Sequence, residues 1–267
     1  MTETLISITD VPALIEVATK AAREAGQYLR EHLGRAEVQH RKALKDDLLD
    51  VDLASERIII DRLKQAAPHI GFLSEEAGII GRQDQYWTID PVDGSANFQH
   101  GNPDFATSIA LIVNQTTVGG VIYIPCTDEL FTAIQGQGAY RNGQKISIAP
   151  TTTLQDALVY YGDISVAASA QIFAESINNF TQVAAQAHRT RIIGTTVTEL
   201  AYVACGKADA LISPTINPWD VSAGRLLVTE AGGKITPITA TSSRQLFLYS
   251  NEDLIEAVNQ LFATSAQ

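Results

Sequence analysis

Cysteine is nearly absent from this 267-residue chain: Cys126 and Cys205 are its two thiols. Two cysteines build neither a disulfide framework nor a zinc cluster, so a reducing compartment is expected. Their apolar surroundings read as buried filler positions. No hydrophobic run approaches the roughly 20 residues needed to cross a bilayer, so no membrane partner is expected. Positive charge is also scarce. Nineteen Lys and Arg against 30 Asp and Glu leave a net charge of −11, without the basic face that nucleic acid demands. A small phosphorylated ligand stays possible, because bound cations reverse the local field. The five histidines are scattered without metal-ligand spacing. Residues 1–10 hold Glu3 and Asp10 and no basic residue. That is unlike a signal or transit peptide, and a cytoplasmic location is the expectation.

One further absence organises the rest. Between Gln83 and Pro125 there is no Lys or Arg, yet the stretch Trp87-Thr88-Ile89-Asp90-Pro91-Val92-Asp93-Gly94-Ser95-Ala96-Asn97-Phe98 carries two acids at the end of an apolar segment. Trp87 and Ile89 are strand-like, and Pro91 lacks a ladder donor, so a central strand should stop near it. Gly94 then permits a turn closed to other residues. Acids in such a place must be hydrogen-bonded, paired with a base or bound to a cation. With no local base, a divalent metal leads.

What is abundant is ordinary globular sequence: 45% hydrophobic and 18% charged residues, enough for a full core. Leu14, Val17, Ala18, Ala21, Ala25 and Leu29 recur at helical spacing after Asp10 and Pro12, predicting a helix to about residue 32. Val51, Ala54, Ile58 and Leu63 predict a second helix, capped by Asp50 or Asp52. Strands follow at 71–74, 105–113, 118–124 and 129–134, and Asn142-Gly143 marks a hairpin. The polar run 150–153 is the candidate boundary between an N-terminal half (1–150) and a C-terminal half (151–267). Beyond it strands and helices alternate, with helices over 167–187, 197–205, 219–229 and from 252. The pattern implies a layered α/β fold.

Three element ends present carboxylates without nearby bases: Glu75 and Glu76 after the strand 71–74, Asp90 and Asp93, and Asp220 after Trp219. Each alone could be a cap or a solvated turn. Together they suit hard divalent ions such as magnesium, which take a few carboxylates plus water and substrate phosphate. Such ions activate water and stabilise a leaving alkoxide. The N–H of Ser95 could meet a phosphate and its hydroxyl orient a water.

Asp90-Pro91-Val92-Asp93-Gly94-Ser95-Ala96-Asn97-Phe98 closely resembles the first signature of the inositol monophosphatase family. Trp219-Asp220-Val221-Ser222-Ala223-Gly224, running to Glu230-Ala231-Gly232-Gly233, resembles the second. Ser74-Glu75-Glu76, and Asp47-Leu48-Leu49 with Asp52, match further metal-related segments. The resemblance implies a five-layered αβαβα sandwich with an antiparallel sheet in the N-terminal half and a mixed sheet in the C-terminal half. It also implies a Mg2+-dependent, lithium-sensitive phosphomonoesterase, usually a homodimer, with two or three ions per site. Carried over, one metal takes Glu75, Asp90 and the carbonyl of Val92; a second takes Asp90, Asp93 and Asp220; a third lies near Glu75 and Asp52. Glu75 and Ser95 would activate the water with support from Asp47, and the N–H groups of Gly94 and Ser95 would hold the phosphate. Lys42 would match a mobile-loop lysine. Gly194, Thr195 and Thr196 would line the substrate, together with Ser213, which stands where the family usually has a glutamate to the inositol hydroxyls. Losing that carboxylate forgoes a charge-assisted hydrogen bond of roughly 1.5–3 kcal/mol. Hydrolysis is therefore better supported than inositol specificity, and the resemblance makes inositol 1-phosphate the first candidate substrate. Histidinol phosphate, fructose 1,6-bisphosphate and adenosine 3′,5′-bisphosphate are rivals, as is a non-catalytic relative that binds metal or phosphate.

Overall fold

A 22-residue helix, α1 (Val11–His32), runs first, with Ile15, Ala18, Ala22, Ala25 and Leu29 on its buried face. The computed structural model describes residues 6–43, 46–164, 169–238 and 245–264, without the side chains of 41–47 and 264. Asp10 occupies the N-cap position of α1 without capping through its side chain. A short antiparallel pair, β1 (Val38–Ala43) and β2 (Asp46–Leu49), leads into α2 (Asp50–Ala66). Of the two acids expected to cap α2, Asp52 does so: its Oδ2 accepts from the Leu49 N–H at 2.7 Å. The pair β1–β2 falls on a segment where no strand was expected. Two strands this short leave no alternation to read.

Eight strands form the first sheet: β3 (Gly71–Ser74), β4 (Gly78–Ile80), β5 (Gln85–Asp93), β6 (Ala106–Val113), β7 (Thr116–Ile124), β8 (Glu129–Ile134), β9 (Gly138–Arg141) and β10 (Gln144–Lys145). Their order is β10-β9-β8-β7-β6-β5-β3-β4. This sheet is not wholly antiparallel as expected, because β3 runs parallel to β5. The antiparallel strand β4 returns the chain from the end of β3 to the start of β5, so β3 and β5 end at the same edge. Strand β5 also does not stop at Pro91. It continues to Asp93 through a register break between Asp90 and Asp93. A bulge is where a residue without an N–H is tolerated. Asn142-Gly143 makes the expected hairpin, with both residues at positive φ.

The second sheet has the order β12-β11-β13-β15-β14, from β11 (Leu158–Tyr161), β12 (Arg189–Arg191), β13 (Ala210–Ser213), β14 (Lys234–Ile238) and β15 (Leu246–Ser250). It is mixed: β12, β11 and β13 are parallel, and β15 is antiparallel to both neighbours. Each sheet lies on one side of residue 150.

Helices α5 (Thr196–Ala204) and α6 (Pro218–Glu230) fill the space between the sheets, while α4 (Ala170–Gln186) and α7 (Glu252–Thr264) cover the outside of the second. The αβαβα sandwich thus holds three apolar layers. Ala22 and Ile59 of the first helix pair meet Trp87, Ile89 and Val121. Leu200 and Leu227 meet Ala110, Phe131 and Tyr249 in the middle. Val183 and Val258 meet Val159 and Leu248 on the far side. Full burial of a side chain such as Leu200 stabilises the fold by about 1.5–3 kcal/mol. Helices reach β7 closely from both faces because two glycines lie side by side there. A Cβ on Gly119 would meet Ile15 at 2.5 Å, and one on Gly120 would meet the Ala223 backbone at 3.0 Å.

Candidate active site

The parallel pairing of β3 with β5 is the first step in building the site. Ser74 is in register with Ile89, and the Glu75 N–H donates to the Ile89 carbonyl at 3.1 Å. Glu75 and Asp90 therefore leave adjacent strand ends side by side. The turn carrying Glu75 is organised from below by Glu56 of α2, which is 6% exposed. Its Oε1 accepts from the Ser74 hydroxyl, from Glu76 N at 3.2 Å and from Ala77 N at 3.0 Å.

After Asp90 the chain is pinned by its Pro91 carbonyl, which accepts from Thr107 Oγ1 at 3.0 Å and Ser55 Oγ at 3.3 Å. Asp90 is 2% exposed, and its Oδ1 accepts from the Val92 N–H at 3.0 Å. Gly94 turns the chain at φ +93° into the short helix α3 (Ser95–Gln99). A side chain there would meet the Asp104 carbonyl at 3.0 Å. Asn97 of α3 then donates to the carbonyls of Asp104 at 2.7 Å and Ile193 at 2.8 Å. Those bonds draw the segment Gly194-Thr195-Thr196 from the second half against Asp93.

Thr195, expected at the substrate, donates its hydroxyl to Asp93 Oδ2. The same oxygen accepts from Val197 N at 2.7 Å, at the N-terminus of α5. Both bonds engage the same carboxylate oxygen of Asp93. Asp220 stands in the first turn of α6, anchored by Ser108 donating to the Trp219 carbonyl at 3.1 Å. Its Oδ2 accepts from Asn217 Nδ2 at 3.1 Å.

Glu75, Asp90, Val92, Asp93, Gly94, Ser95 and Asp220 all line one cleft of about 320 Å³, with no Lys, Arg or His among its described lining. A larger groove of about 530 Å³, with Phe72, Ile79, Ile216 and Arg225 in its walls, lies behind α6 and lacks clustered acids. The smaller cleft is the one that gathers the acids. Burial, and then Glu75, Asp93, Asp220 and Asp52, push the Asp90 carboxyl well above the usual range. Burial likewise lifts Asp93 to about 7 against the bonds from Thr195 and Val197. Asp220 rises to about 8 through burial, then Asp93 and Glu75. Among the described residues no three acid, histidine or cysteine side chains close around a single point. The carboxylates instead line the cleft walls. An all-oxygen donor set, crowded with negative charge and without a base, fits a hard divalent cation that completes its shell with water and phosphate.

The remaining expected positions are dispersed. Asp52 is buried behind the cleft, and Ser213 is fully buried in β13, with its hydroxyl donating to Thr215 Oγ1 at 3.1 Å. Gly194, Thr195 and Thr196 line a second pocket of about 140 Å³ that shares Asp93 with the cleft. The side chains of Asp47 and Lys42 lie outside the described residues. The sequence reading missed Glu56, Asn97, Asp163, Glu199 and Thr215. Glu56 had a signal, since Asp52, Glu56, Ile59 and Leu63 form one helical stripe and all are buried. A charged residue on a buried stripe calls for a partner. Glu199 had the same signal on α5, where it is 1% exposed and pushed well above the usual carboxyl range by burial.

The sequence profile of the inositol monophosphatase family matches residues 10–266. A curated relative from Xylella fastidiosa named Nus factor SuhB is 39% identical over 223 residues, 83% of this chain and 80% of the relative. The Thermotoga maritima protein named fructose-1,6-bisphosphatase/inositol-1-monophosphatase is 31% identical over 92% of this chain and 96% of its own length. Among solved structures, the extragenic suppressor protein suhB from Bartonella henselae superposes with a TM-score of 0.87 at 32% identity, covering 94% of this chain and 98% of that one.

Proposed function

The chain belongs to the inositol monophosphatase family, and from that membership we propose that it is a magnesium-dependent phosphomonoesterase for a small phosphorylated polyol or sugar. Inositol 1-phosphate is the first candidate. The observation that carries the reading is the meeting of Glu75 from the turn after β3, Asp90 and Asp93 from β5 and Asp220 from α6 in one cleft, with no Lys, Arg or His among its described lining. Glu75, Asp90 and the Val92 carbonyl would hold one Mg2+; Asp90, Asp93 and Asp220 a second; Asp52 would support a third near Glu75. Magnesium bound there lowers the pKa of water and neutralises charge on the phosphoryl oxygens. Glu75 receives the proton of the attacking water, which the Ser95 hydroxyl orients, with Asp47 in support. The N–H groups of Gly94 and Ser95 hold the phosphate, and Thr195 fixes the Asp93 carboxylate. Homodimeric assembly, cytoplasmic residence and lithium inhibition belong to the same reading. The decisive assay supplies Mg2+ with inositol 1-phosphate and p-nitrophenyl phosphate, then removes the metal with EDTA. Metal-dependent turnover supports the proposal, and no turnover of any phosphoester refutes it.

A second reading follows from the relatives named Nus factor SuhB: a transcription-linked role independent of hydrolysis. Complementation of such a role by an Asp93→Asn variant would support it, and failure would tie function to the metal site.

A further inference from the structure

The groove of about 530 Å³ behind α6 is the electrostatic opposite of the metal cleft. In a chain with 30 acidic and 19 basic residues, its described lining holds Arg82 and Arg225 and no Asp or Glu. The two cavities stand back to back across one segment: Ile216 and Pro218 line the groove, and Asn217 and Trp219 line the cleft. Strands β3, β5 and β6 supply further wall through Phe72, Tyr86 and Ile112. Ile79 and Ile216, 61% and 63% exposed, leave apolar surface at its open side.

The two arginines differ in their partners. Arg82 pairs with the carboxylate of Asp84. Arg225 has no carboxylate partner among the described residues. It lies against aromatic rings instead, 4.7 Å from the Phe247 centroid and 5.9 Å from that of Tyr249. Its Nε donates to the Tyr249 hydroxyl at 3.2 Å, while Nη2 is buried with no hydrogen-bond partner. A partly buried guanidinium without a counter-charge is costly, and ring faces offset only part of that cost. The planar fork of Arg matches the oxygens of a carboxylate or phosphate. The cavity volume falls within the range of small-molecule sites, and apolar walls with a few polar groups suit a ring body with one charged head.

We propose that this groove binds a small organic anion, an apolar ring body whose carboxylate or phosphate head pairs with Arg225, at a site separate from the metal cleft. The anion supplies the acceptor and the counter-charge that Arg225 lacks, and its ring covers the apolar surface of Ile79 and Ile216. The acid-lined cleft on the other side of segment 216–220 repels the same ligand when no cation is bound there. Selectivity for an anion thus comes from the position of Arg225 together with the lack of acids in the described lining.

Titration calorimetry of the full chain with 2-naphthoate, and with neutral 2-naphthamide as control, tests the site, first with Mg2+ and again in EDTA. Naphthoate should bind at least about tenfold more tightly than the amide, with the same affinity in both buffers. Arg225→Gln should remove that preference. Gln115→Glu, an isosteric change at an exposed lining position, should weaken naphthoate by about threefold or more through like charge and leave the amide unmoved. That second variant keeps the test decisive if Arg225→Gln fails to fold. Carboxylate and amide bound equally, or a naphthoate affinity unmoved by Gln115→Glu, overturns the inference. Binding lost in EDTA also overturns it, because the anion would then sit on a metal in the cleft. Light scattering covers the remaining occupant: a change of oligomeric state in Gln115→Glu with naphthoate affinity unchanged assigns the groove to a second copy of the chain.

Discussion

Replacing Asp93 by Asn should raise the stability of the metal-free protein while abolishing its response to magnesium. Burial lifts the Asp93 carboxyl from 3.8 to about 7, so the folded state holds its proton more tightly than the unfolded chain does. A group raised in this way contributes stability below its unfolded value, and that contribution is lost as pH rises through the folded one. At about pH 8 the ionised side chain opposes folding by about 4 kcal/mol, from 1.36 kcal/mol per pH unit across the interval from 3.8 to about 7. At about pH 5 the same arithmetic leaves under about 2 kcal/mol. Asp93 is partly open to the cleft, and solvent screening reduces these figures to about 2–3 and about 1 kcal/mol. The Asn oxygen can still accept from Thr195 and Val197, as neutral bonds about 1 kcal/mol weaker in total. The net expectation is a gain of about 1–2 kcal/mol at about pH 8, a rise of about 2–6 °C for a chain of this size, and almost none at about pH 5. Parallel melting curves in EDTA at the two pH values provide the assay, followed by Mg2+ titration. Wild type should gain about 3 kcal/mol at one hundred times the dissociation constant, and the variant should gain little and lose at least about 100-fold in turnover. A variant less stable than wild type at about pH 8, or equally shifted at both pH values, would refute this account of the cleft's electrostatics.

Other perturbations separate positioning from ligation. Glu56→Ala strands the Ser74 hydroxyl and the N–H groups of Glu76 and Ala77; chemical denaturation should show a loss of about 2–4 kcal/mol, whereas Glu56→Gln, which keeps an acceptor, should cost about 1. Thr195→Ala should lower kcat by about tenfold or more and Thr195→Ser should restore most of it, because the hydroxyl on Asp93 is what is removed. Gly94→Ala forces a Cβ at φ +93° to within 3.0 Å of the Asp104 carbonyl, so a destabilisation of at least about 1–2 kcal/mol is expected in thermal melts, with activity reduced further. Magnesium should bind more tightly as pH rises from about 6 to about 8, since Asp93 and Asp220 must give up protons to ligate; calorimetry showing no pH dependence would contradict the raised values.

By itself the sequence determined the kinds of elements, the helical stripes, the hairpin at Asn142-Gly143 and the acids at segment ends, because each is written in local spacing and residue type. It also carried the family resemblance, since the Asp90–Phe98 and Trp219–Gly233 signatures are contiguous. It did not reveal that β3 lies parallel to β5, that β5 runs past Pro91 through a bulge, or that β1 and β2 pair. Those depend on which strands meet, and strand pairing is not local. Only the tertiary structure brought Glu75 beside Asp90, set Thr195 on Asp93 across 102 residues, and aimed Glu56 at the turn it organises. It also turned Ser213 inward and placed Glu199 against the pocket beside Asp93. Carboxylates along a chain are common. Their mutual distance, burial and lack of a base make them a candidate metal centre, and those properties exist only once the chain is folded.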